Sequence, residues 1–386
     1  MVQHMNSVEL LVDADAFWHR LQNDLQAADH EIMLQMMTFE GDQTGQQVIE
    51  AMLASEAPCK QILVDNYTRF IQSDKFIYHP KYWSDQDLKT EVRQTHAMFE
   101  ALIQEGGQVR FTNPVGPCLI HFVGRSHKKL IVIDNQIAYI GGFNFSDHNF
   151  AWHDLMFRLE DPAIVEFLRA DFVATWHDQS LPSHADFGDC EFFLLDGRSN
   201  EATFANLLDL LCSAQTSLHI ISPYLTFPFC AALAELPQRG VPVTLLTPEG
   251  NNKGTVRDYL LWEAQRSGFD VRLYDGMSHM KAALVDDRYL VVGSSNFDFL
   301  SYRIEEEVLA IFSNPTVIET FRQQVLEPDL ARCRPFDGQA SALRGWLSYG
   351  ILRAVETLAL FSRGMKSTQV IDTGACHLCI PIKPLR

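Results

Sequence analysis

The chain has 386 residues, of which 47% are hydrophobic and 21% charged, and it carries a net charge of −18. This length is enough for two domains with their own cores, and the composition excludes a disordered or fibrous protein. No stretch reaches the ~18 uninterrupted apolar residues that a membrane-spanning helix needs, and the first residues lack the basic-then-apolar pattern of a secretory signal. We therefore expect a cytoplasmic protein, and the negative charge disfavours broad nucleic-acid binding.

The first half of the sequence predicts strands that alternate with helices. A strand begins at Glu31 (EIMLQMMTF), a helix follows in TGQQVIEAMLA, and KQILVDNY forms a second strand. The helix THAMFEALIQEGG ends at its glycines before the strand QVRFTN. Between the second strand and this helix lies an insertion, residues 66–93, which either covers a site or elaborates the surface. Its aromatic residues are Tyr67, Tyr78, Tyr82 and Trp83.

The second half repeats this order. Its segments are LHIISPYL, CAALAELPQRG, VPVTLLTP, LLWEAQRSG and DVRLYD, and a hairpin pattern ends the series in each half. The segment between the halves, SLPSHADFGD, is rich in Pro, Gly, Ser and Asp and is typical of a linker. We predict a first domain at residues 1–179, a linker at 180–189, a second domain at 190–330 and a C-terminal tail at 331–386.

The tail differs from the rest of the chain in charge. Residues 331–386 carry a net charge of +5, which leaves −23 on residues 1–330. Apolar residues recur at helical spacing within it, namely Trp346, Leu347, Ile351, Val355, Leu358 and Phe361. A basic amphipathic helix of this kind is typical of a membrane interface, but a helix packed on the protein's own body has the same pattern. Cys376 and Cys379 lack two further zinc ligands, so we expect a pair of free thiols there.

One set of residues occurs twice at the same spacing. The first copy, SHKKLIVIDNQIAYIGGFN, contains His127, Lys129, Asp134, Gly141 and Asn144. The second copy, SHMKAALVDDRYLVVGSSN, contains His279, Lys281, Asp286, Gly293 and Asn296. In both copies the offsets from the histidine are +2, +7, +14 and +17. We interpret this pattern as a duplicated unit in which each copy supplies half of one composite site, on a pseudo-twofold axis between the halves.

These residue types suit the cleavage of a phosphodiester. Without a metal, such a site needs cations and donors around the phosphoryl oxygens, a nucleophile, and an acid for the leaving alkoxide. Two histidines can divide the last two roles, while the lysines and asparagines hold the phosphate. The pattern therefore requires neither a metal nor another cofactor.

The two motifs resemble the HxK(x)4D signatures of the phospholipase D superfamily, and GSSNFDFLSYRIEEE resembles that family's GSxNxDxRSxxxNxE. WHDLMFRLEDPAIVEF and VELLVDADAFWHRLQNDLQAADHEIMLQMMTFEGDQTG are similar to stretches of bacterial cardiolipin synthases. The resemblance covers about residues 8–330. It implies two similar mixed-sheet α/β domains related by pseudo-twofold symmetry, with one active site at their interface.

The resemblance also implies catalytic roles. His127 is the expected nucleophile, which becomes a covalent phosphohistidine, and His279 is the expected general acid and base. Acidic residues further along orient the two imidazoles. We assign this role to Asp154 and Glu307, and Glu306 competes with Glu307 for it.

The remaining motif residues have expected supporting roles. The phosphate ligands are Lys129, Lys281, Asn144 and Asn296, with Ser294 as a further hydroxyl donor. Asp134 and Asp286 are expected to be structural residues at hairpin turns. Gly141, Gly142 and Gly293 are expected to allow close backbone approach to the site.

The implied function is that of a phosphatidyltransferase or phospholipase D similar to cardiolipin synthase, acting on a glycerophospholipid with an alcohol or water as acceptor. The alternatives are a hydrolase that releases phosphatidic acid, a nuclease of the same superfamily, and a non-catalytic lipid-binding scaffold. The family's Arg-Ser is Leu300-Ser301 here, and Glu305 replaces the family's Asn, which leaves the substrate preference open. Contact with a membrane would come from the tail, on the cytoplasmic side.

Overall fold

The computed structural model describes residues 8–116, 119–179, 182–363 and 371–372. The first half contains β1 (Val8–Val12), α1 (Asp13–Gln26), β2 (Glu31–Met36), α2 (Gln43–Ala54), β3 (Cys59–Asp65), β4 (Ile71–Gln72), β5 (Lys75–Phe76), α3 (Gln86–Gln104), β6 (Gln108–Thr112), β7 (Leu130–Ile133), β8 (Ile137–Gly141), α4 (Asp147–Phe150), β9 (Leu155–Leu159) and α5 (Pro162–Trp176).

The second half contains β10 (Ser183–Asp186), β11 (Cys190–Leu194), α6 (Asn200–Cys212), β12 (Leu218–Ile221), α7 (Phe229–Leu233), α8 (Glu235–Gln238), β13 (Val243–Pro248), α9 (Gly254–Arg266), β14 (Asp270–Tyr274), β15 (Ala282–Val285), β16 (Tyr289–Gly293), α10 (Phe299–Arg303), β17 (Val308–Phe312), α11 (Pro315–Phe321) and α12 (Glu327–Arg332). They are followed by β18 (Arg334–Pro335), α13 (Ala342–Arg363) and β19 (Ile371–Asp372).

Two large mixed sheets organise these strands. The first sheet has the order β1-β9-β8-β7-β2-β3-β6-β19, and the second has the order β10-β11-β17-β16-β15-β12-β13-β14-β18. Without the edge strands β10, β18 and β19, both sheets have the same succession of seven strands. In each, the first βαβ pairs are parallel (β2 with β3, β12 with β13) and the motif hairpin is antiparallel. The predicted duplicated mixed-sheet α/β fold is therefore confirmed.

The two sheets share one hydrophobic cluster at their interface, and each half also has a cluster of its own. Every residue of β7 and of β15 is buried, as expected for strands that are covered on both faces. The rings of Phe157 in β9 and Phe312 in β17 stack with their centroids 5.2 Å apart, inside a cluster that includes residues of both halves. The apolar runs that predict the central strands thus also form the contact between the halves.

The helices that follow β9 and β17 begin in the same way. The Asp161 side chain accepts hydrogen bonds from the backbone N–H groups of residues 163 and 164, and Pro162 is the first residue of α5. Asn314 and Pro315 do the same for α11. An Asx cap followed by proline satisfies free N–H groups and presets the backbone for a helix.

Two local features differ from the sequence prediction. Helix α3 begins at Gln86, where the Asp85 side chain caps it through the Leu88 N–H, so the polar stretch before Thr95 is helical and the insertion ends earlier than predicted. The insertion itself contains a 3₁₀ turn (Asn66–Arg69) and the hairpin β4–β5. Strand β10 lies within the segment predicted as a linker and pairs with β11.

Helix α13 packs on the second half through one narrow stripe and leaves its apolar side in solvent. The buried stripe consists of Gly345, Ser348, Leu352, Glu356 and Ala359. A Cβ on Gly345 would lie 2.2 Å from Cγ of Trp262 in α9, so glycine permits this close packing. The large apolar residues that are at least half exposed are Leu343, Trp346 (64% exposed), Leu347, Ile351, Leu358 and Phe361 (69% exposed), while Val355 is half-buried.

The apolar pattern of the tail allowed a helix packed on the body or a helix at a membrane interface. Helix α13 packs on the second half and also exposes an apolar face, so the structure is compatible with both. Cys376 and Cys379 lie outside the described residues. Among the described helices, none combines the length and the apolarity that crossing a membrane requires.

Candidate active site

Each motif histidine lies on the extended segment that leads into the first strand of its hairpin. His127 precedes β7, and His279 precedes β15. Alternation along the first segment sends Lys128 to the other side, where its Nζ lies 2.7 Å from Oδ2 of Asp171 in α5. This buried ion pair anchors the segment from behind and leaves His127 and Lys129 directed to the front.

Backbone hydrogen bonds join each histidine segment to the opposite half. The His127 N–H donates to the Glu306 carbonyl oxygen (2.8 Å), and the Glu306 N–H donates to the Arg125 carbonyl oxygen (3.0 Å). In the same way, the His279 N–H donates to the His153 carbonyl oxygen (2.8 Å), and the His153 N–H donates to that of Met277 (3.0 Å). Residues on both sides of the interface therefore fix the position of each histidine.

The imidazoles exchange carboxylate partners across the interface. Nδ1 of His127 lies 3.1 Å from Oε1 of Glu307, and Nδ1 of His279 lies 2.8 Å from Oδ2 of Asp154. All four side chains are buried. Of the two competing acids, Glu307 contacts His127 through its carboxylate, while Glu306 bridges to the histidine segment through its backbone. An imidazole held at Nδ1 presents Nε2 to a substrate.

The two motif lysines are buried beside the histidines. Nζ of Lys129 donates to the His127 carbonyl oxygen at 2.8 Å, and Nζ of Lys281 lies 2.8 Å from Nδ1 of His279. Burial, followed by the charge of Lys281, lowers the pKa of Lys129 to about 7. Burial lowers the pKa of Lys281 to about 8, against the attraction of Asp154 and Glu307. Two ammonium groups buried in the same site favour the binding of an anionic ligand.

The same charges keep the histidines neutral. Burial and then the charge of Lys129 lower the pKa of His127 well below its ordinary value. Burial and the charge of Lys281 lower the pKa of His279 to about 3, although its hydrogen bond to Asp154 acts in the opposite direction. A neutral imidazole has the free lone pair that a nucleophile needs.

The two carboxylates differ in charge state. Burial raises the pKa of Asp154, but Lys281 and His279 outweigh burial and hold that pKa below its ordinary value. For Glu307, burial outweighs the attraction of Lys129 and raises the pKa to about 7. At neutral pH the acid at His279 is therefore ionised, whereas the acid at His127 is partly protonated.

A third acid, Glu305, stands where the resembling family has asparagine. Its side chain is buried, and burial followed by the charges of Asp298 and Glu307 raises its pKa well above the ordinary value. The Ser301 hydroxyl lies 2.8 Å from Oε1 of Glu307 and 3.2 Å from Oε2 of Glu305. Glu305, one of the two departures from the family pattern, is thus linked through Ser301 to the carboxylate that contacts His127.

The polar residues proposed as phosphate ligands are not equivalent. Asn144 accepts the Thr38 N–H through Oδ1 (3.2 Å), whereas Oδ1 of the buried Asn296 has no hydrogen-bond partner among the described residues. The Ser294 hydroxyl, expected to donate to the phosphate, donates here to Oε2 of Glu307 and so helps to position that carboxylate. In the first half the equivalent residue is Gly142, where a Cβ would lie 2.1 Å from Oδ1 of Asp154.

The remaining motif positions act on the backbone. Asp134 accepts the N–H groups of residues 29–31 at 2.8 to 2.9 Å, and Asp286 accepts those of residues 215–217. Both lie at the hairpin turns with φ of +53°, at the far end of the strand from the histidine. A Cβ on Gly141 or Gly293 would lie 2.3 or 2.2 Å from a carbonyl oxygen of the neighbouring strand.

Several residues that the motif does not contain complete the site. Asp65, at the end of β3, forms a buried ion pair with Arg125 (2.9 Å) and accepts the Ser126 N–H (2.6 Å). The rings of Trp152 and Tyr224 lie 5.3 and 6.4 Å from the His279 ring. Sequence reasoning missed them because they are single residues without a repeated spacing. The only signal at Asp65 is an acid that follows an apolar strand.

Two groups of side chains within the described residues have the geometry to hold a cation. Their ligand atoms lie within 4.8 Å of one another in each group. One group consists of His127, Glu305 and Glu307, and the other of Glu40, Asp42 and Glu91. In the first group a cation would compete for the contact between His127 and Glu307.

Two duplicated α/β halves whose histidines exchange carboxylates across one interface define a protein of the phospholipase D class. The sequence matches the family described as "Cardiolipin synthase, PLD-like domain" over residues 21–176 and 207–327, and the chain belongs to this family.

Named relatives and solved structures agree with this assignment. The chain is 25% identical to the major cardiolipin synthase ClsA of Bacillus subtilis, over 83% of this chain and 69% of that protein. It is also 25% identical to cardiolipin synthase 1 of Staphylococcus epidermidis, over 85% of this chain and 69% of that protein. The fold resembles the phosphatidylserine synthase of Haemophilus influenzae with a TM-score of 0.64 at 15% identity, over 93% of this chain and 96% of that one.

Proposed function

We propose that this protein is a phosphatidyltransferase that moves a phosphatidyl group from a glycerophospholipid to an alcohol through a covalent phosphohistidine. The observation that carries the proposal is the crossed arrangement of two neutral imidazoles, each held at Nδ1 by a carboxylate of the opposite half. The relatives named cardiolipin synthase support a phospholipid as substrate.

In the first step, Nε2 of His127 attacks the phosphorus atom and the bond to the leaving alcohol breaks. His279 donates a proton to the departing oxygen, so it must be protonated at this stage. A bound phosphodiester supplies the negative charge that offsets Lys129 and Lys281, and it thereby raises the pKa of His279. The ionised Asp154 stabilises the imidazolium form.

In the second step, His279 removes a proton from the acceptor hydroxyl, whose oxygen attacks the same phosphorus atom. The bond between phosphorus and His127 breaks, and the imidazole returns to its neutral form. The paired lysines and the asparagines Asn144 and Asn296 hold the phosphoryl oxygens through both steps. With water as acceptor, the same steps release phosphatidic acid, so the acceptor alone separates a transferase from a hydrolase.

A nuclease of the same superfamily is the less supported candidate. Nucleic-acid binding depends on cationic surface, whereas residues 1–330 carry a net charge of −23. A non-catalytic scaffold is disfavoured because both half-sites retain their histidine, lysine and carboxylate in contact.

We further propose that the protein works as a peripheral protein on the cytoplasmic face of a membrane, with α13 as its contact. The exposed apolar residues of α13 lie opposite its buried stripe, and Arg344 and Arg353 lie on the two sides of the apolar face. Apolar insertion combined with flanking cations is the pattern that binds anionic lipid surfaces. Because α13 pairs Gly345 with Trp262 and Tyr349 with Tyr259, it runs antiparallel to α9, towards the start of that helix.

Vesicle flotation tests the membrane proposal. The double substitution Leu358→Glu and Phe361→Glu should abolish flotation with phosphatidylglycerol vesicles, because it places charge on the apolar face. The control Gln94→Glu and Gln104→Glu adds the same number of charges to exposed positions of α3 and should retain most of the binding. Equal flotation of both variants and the wild type would contradict a role for α13.

Product analysis on phosphatidylglycerol vesicles tests the enzymatic proposal. We expect the wild type to form cardiolipin and glycerol, and we expect His127→Ala to form neither. A matched control is His184→Ala, which removes an exposed histidine of β10. Phosphatidic acid as the sole product would make the protein a hydrolase, and no lipid turnover by the wild type would overturn the proposal.

A further inference from the structure

A third lysine lies beside the paired lysines of the site. Lys253 immediately precedes α9, and its Nζ lies 4.4 Å from the centroid of the Tyr224 ring. The same ring lies 6.4 Å from the His279 ring, so Tyr224 connects Lys253 to the reaction centre. The charge of Lys253 also contributes, after burial and the charges of Lys129 and Lys281, to the low pKa of His127.

Both halves hold the loop that carries this lysine. The Tyr224 hydroxyl donates to Oδ1 of Asn252 at 2.5 Å, and Nδ2 of Asn252 donates to Oδ2 of Asp74 at 3.0 Å. Asp74 lies in the turn of the hairpin β4–β5, within the insertion of the first half. The insertion therefore reaches across the interface and positions the residue directly before Lys253.

The charge at this place is unfavourable for the helix alone. A cation at a helix N-terminus opposes the helix dipole, and α9 has neither an acidic residue in its first turn nor a side-chain cap. Arg257, one turn further on, adds a second cation, and its Nε has no hydrogen-bond partner among the described residues. Local rules that are broken in this way are typical of functional sites.

Lys253 lies outside the pair of lysines that would face the donor phosphate. The donor's single negative charge already faces Lys129 and Lys281. Tyr224 first, and then Tyr67, Glu305 and Asp298, raise the pKa of Lys253, so it remains a cation. A third cation at the edge of the site matches a second anion that lies next to the donor phosphate.

We propose that Lys253 binds the phosphodiester of the acceptor, so that the enzyme selects a phospholipid alcohol over water and over neutral alcohols. This inference rests on the proposed phosphatidyl transfer and assigns the residue that recognises its acceptor. In a glycerol headgroup, three carbons separate the attacking hydroxyl from the lipid's own phosphate. The acceptor phosphate would therefore lie beside the paired-lysine site and not within it.

A competition between two acceptors in one vesicle tests the assignment. Labelled phosphatidylglycerol serves as donor and anionic acceptor, and 1-monoacylglycerol is the neutral acceptor with the same free hydroxyls. For Lys253→Gln we expect the ratio of cardiolipin to phosphatidyl-monoacylglycerol to fall about tenfold, as for the loss of one charge-assisted hydrogen bond. Lys253→Arg keeps the charge and should keep a ratio close to that of the wild type.

The ratio is internal to each sample, so it does not depend on the amount of folded enzyme. An unchanged ratio in Lys253→Gln would overturn the proposal, whether or not the total yield of the two products falls. If the wild type formed neither product, the proposed phosphatidyl transfer itself would fail. A wild type that uses both acceptors equally would refute selection by charge.

Discussion

The two halves carry the same motif but support it in different ways. In the first half, the buried pair Asp65–Arg125 holds the segment before His127. Strand register places Pro248 at the position equivalent to Asp65, and Met277 precedes Ser278 where Arg125 precedes Ser126. The duplication has therefore kept the reacting groups and the aspartates of the hairpin turns, but not this buried pair.

The second histidine depends more on the interface. Its segment binds the backbone of His153, whose imidazole lies between Asp13 (2.6 Å) and Asp329 (3.0 Å). Burial lowers the pKa of His153, but these two carboxylates outweigh burial and raise it to about 9. The first half thus positions His279 through the charged residue His153, so neither half-site is complete alone.

The connections after β3 and after β13, its equivalent in the second half, also differ. Between β3 and α3 the chain inserts a hairpin, whereas only residues 249–253 separate β13 from α9. The hydrogen bond between Asn252 and Asp74 joins these two connections across the site. This contact favours the interpretation of the insertion as a cover.

Replacing the two histidines one at a time should have the largest effect on turnover. We expect His127→Asn to lose at least about 10⁴-fold in turnover and His279→Asn to lose about 10³-fold. A donor with a p-nitrophenol leaving group needs no proton from His279, so His279→Asn should accumulate labelled phosphoenzyme on alkaline gels. Label on His127→Asn instead would reverse the two roles.

Removing charge from the two carboxylates should reveal their electrostatic difference. Asp154 is ionised and stabilises an imidazolium, whereas Glu307 is partly protonated at pH 7. Asp154→Asn should therefore lower kcat by about 10³-fold and Glu307→Gln by only about tenfold. The kcat values of the two isosteric variants show whether the two acids differ in charge state. Equal losses would show that both act as charges.

The buried pair Asp65–Arg125 of the first half should contribute measurably to the free energy of unfolding. Asp65→Asn leaves Arg125 buried without its ionic partner, so the free energy of unfolding should fall by about 3 kcal/mol. Urea unfolding measures this change, and Glu9→Gln is the control because the pair Arg20–Glu9 is exposed and contributes about 0.5 kcal/mol. Similar losses in both variants would show that the buried pair is not a support.

The paired lysines should make substrate binding sensitive to pH. With pKa values of about 7 and about 8, Lys129 and Lys281 lose their charge as the pH rises. The KM for the donor should therefore rise about tenfold between pH 7 and pH 9, while kcat changes less because bound phosphate keeps both lysines protonated. Lys281→Arg retains its charge and should flatten the profile, whereas a flat wild-type profile would contradict the shifted values.

The sequence by itself determined the repeated motif, the order of the central strands and helices in each half, and the interpretation of the site as composite. Those features depend on residue spacing and apolar periodicity, which are local properties of a chain. It also contained the acids Asp154 and Glu307, but their neighbours in sequence offered no way to assign each acid to one histidine.

Only the tertiary structure decided which groups meet. The exchange of carboxylates between the halves, the pair Asp65–Arg125 and the place of Lys253 all join residues that are far apart in sequence. The side of α13 that faces solvent was likewise undecided, because Gly345 and Leu352 face the second half while apolar residues such as Trp346 and Phe361 are exposed. Such contacts follow from how two sheets pack face to face, and no local pattern encodes that packing.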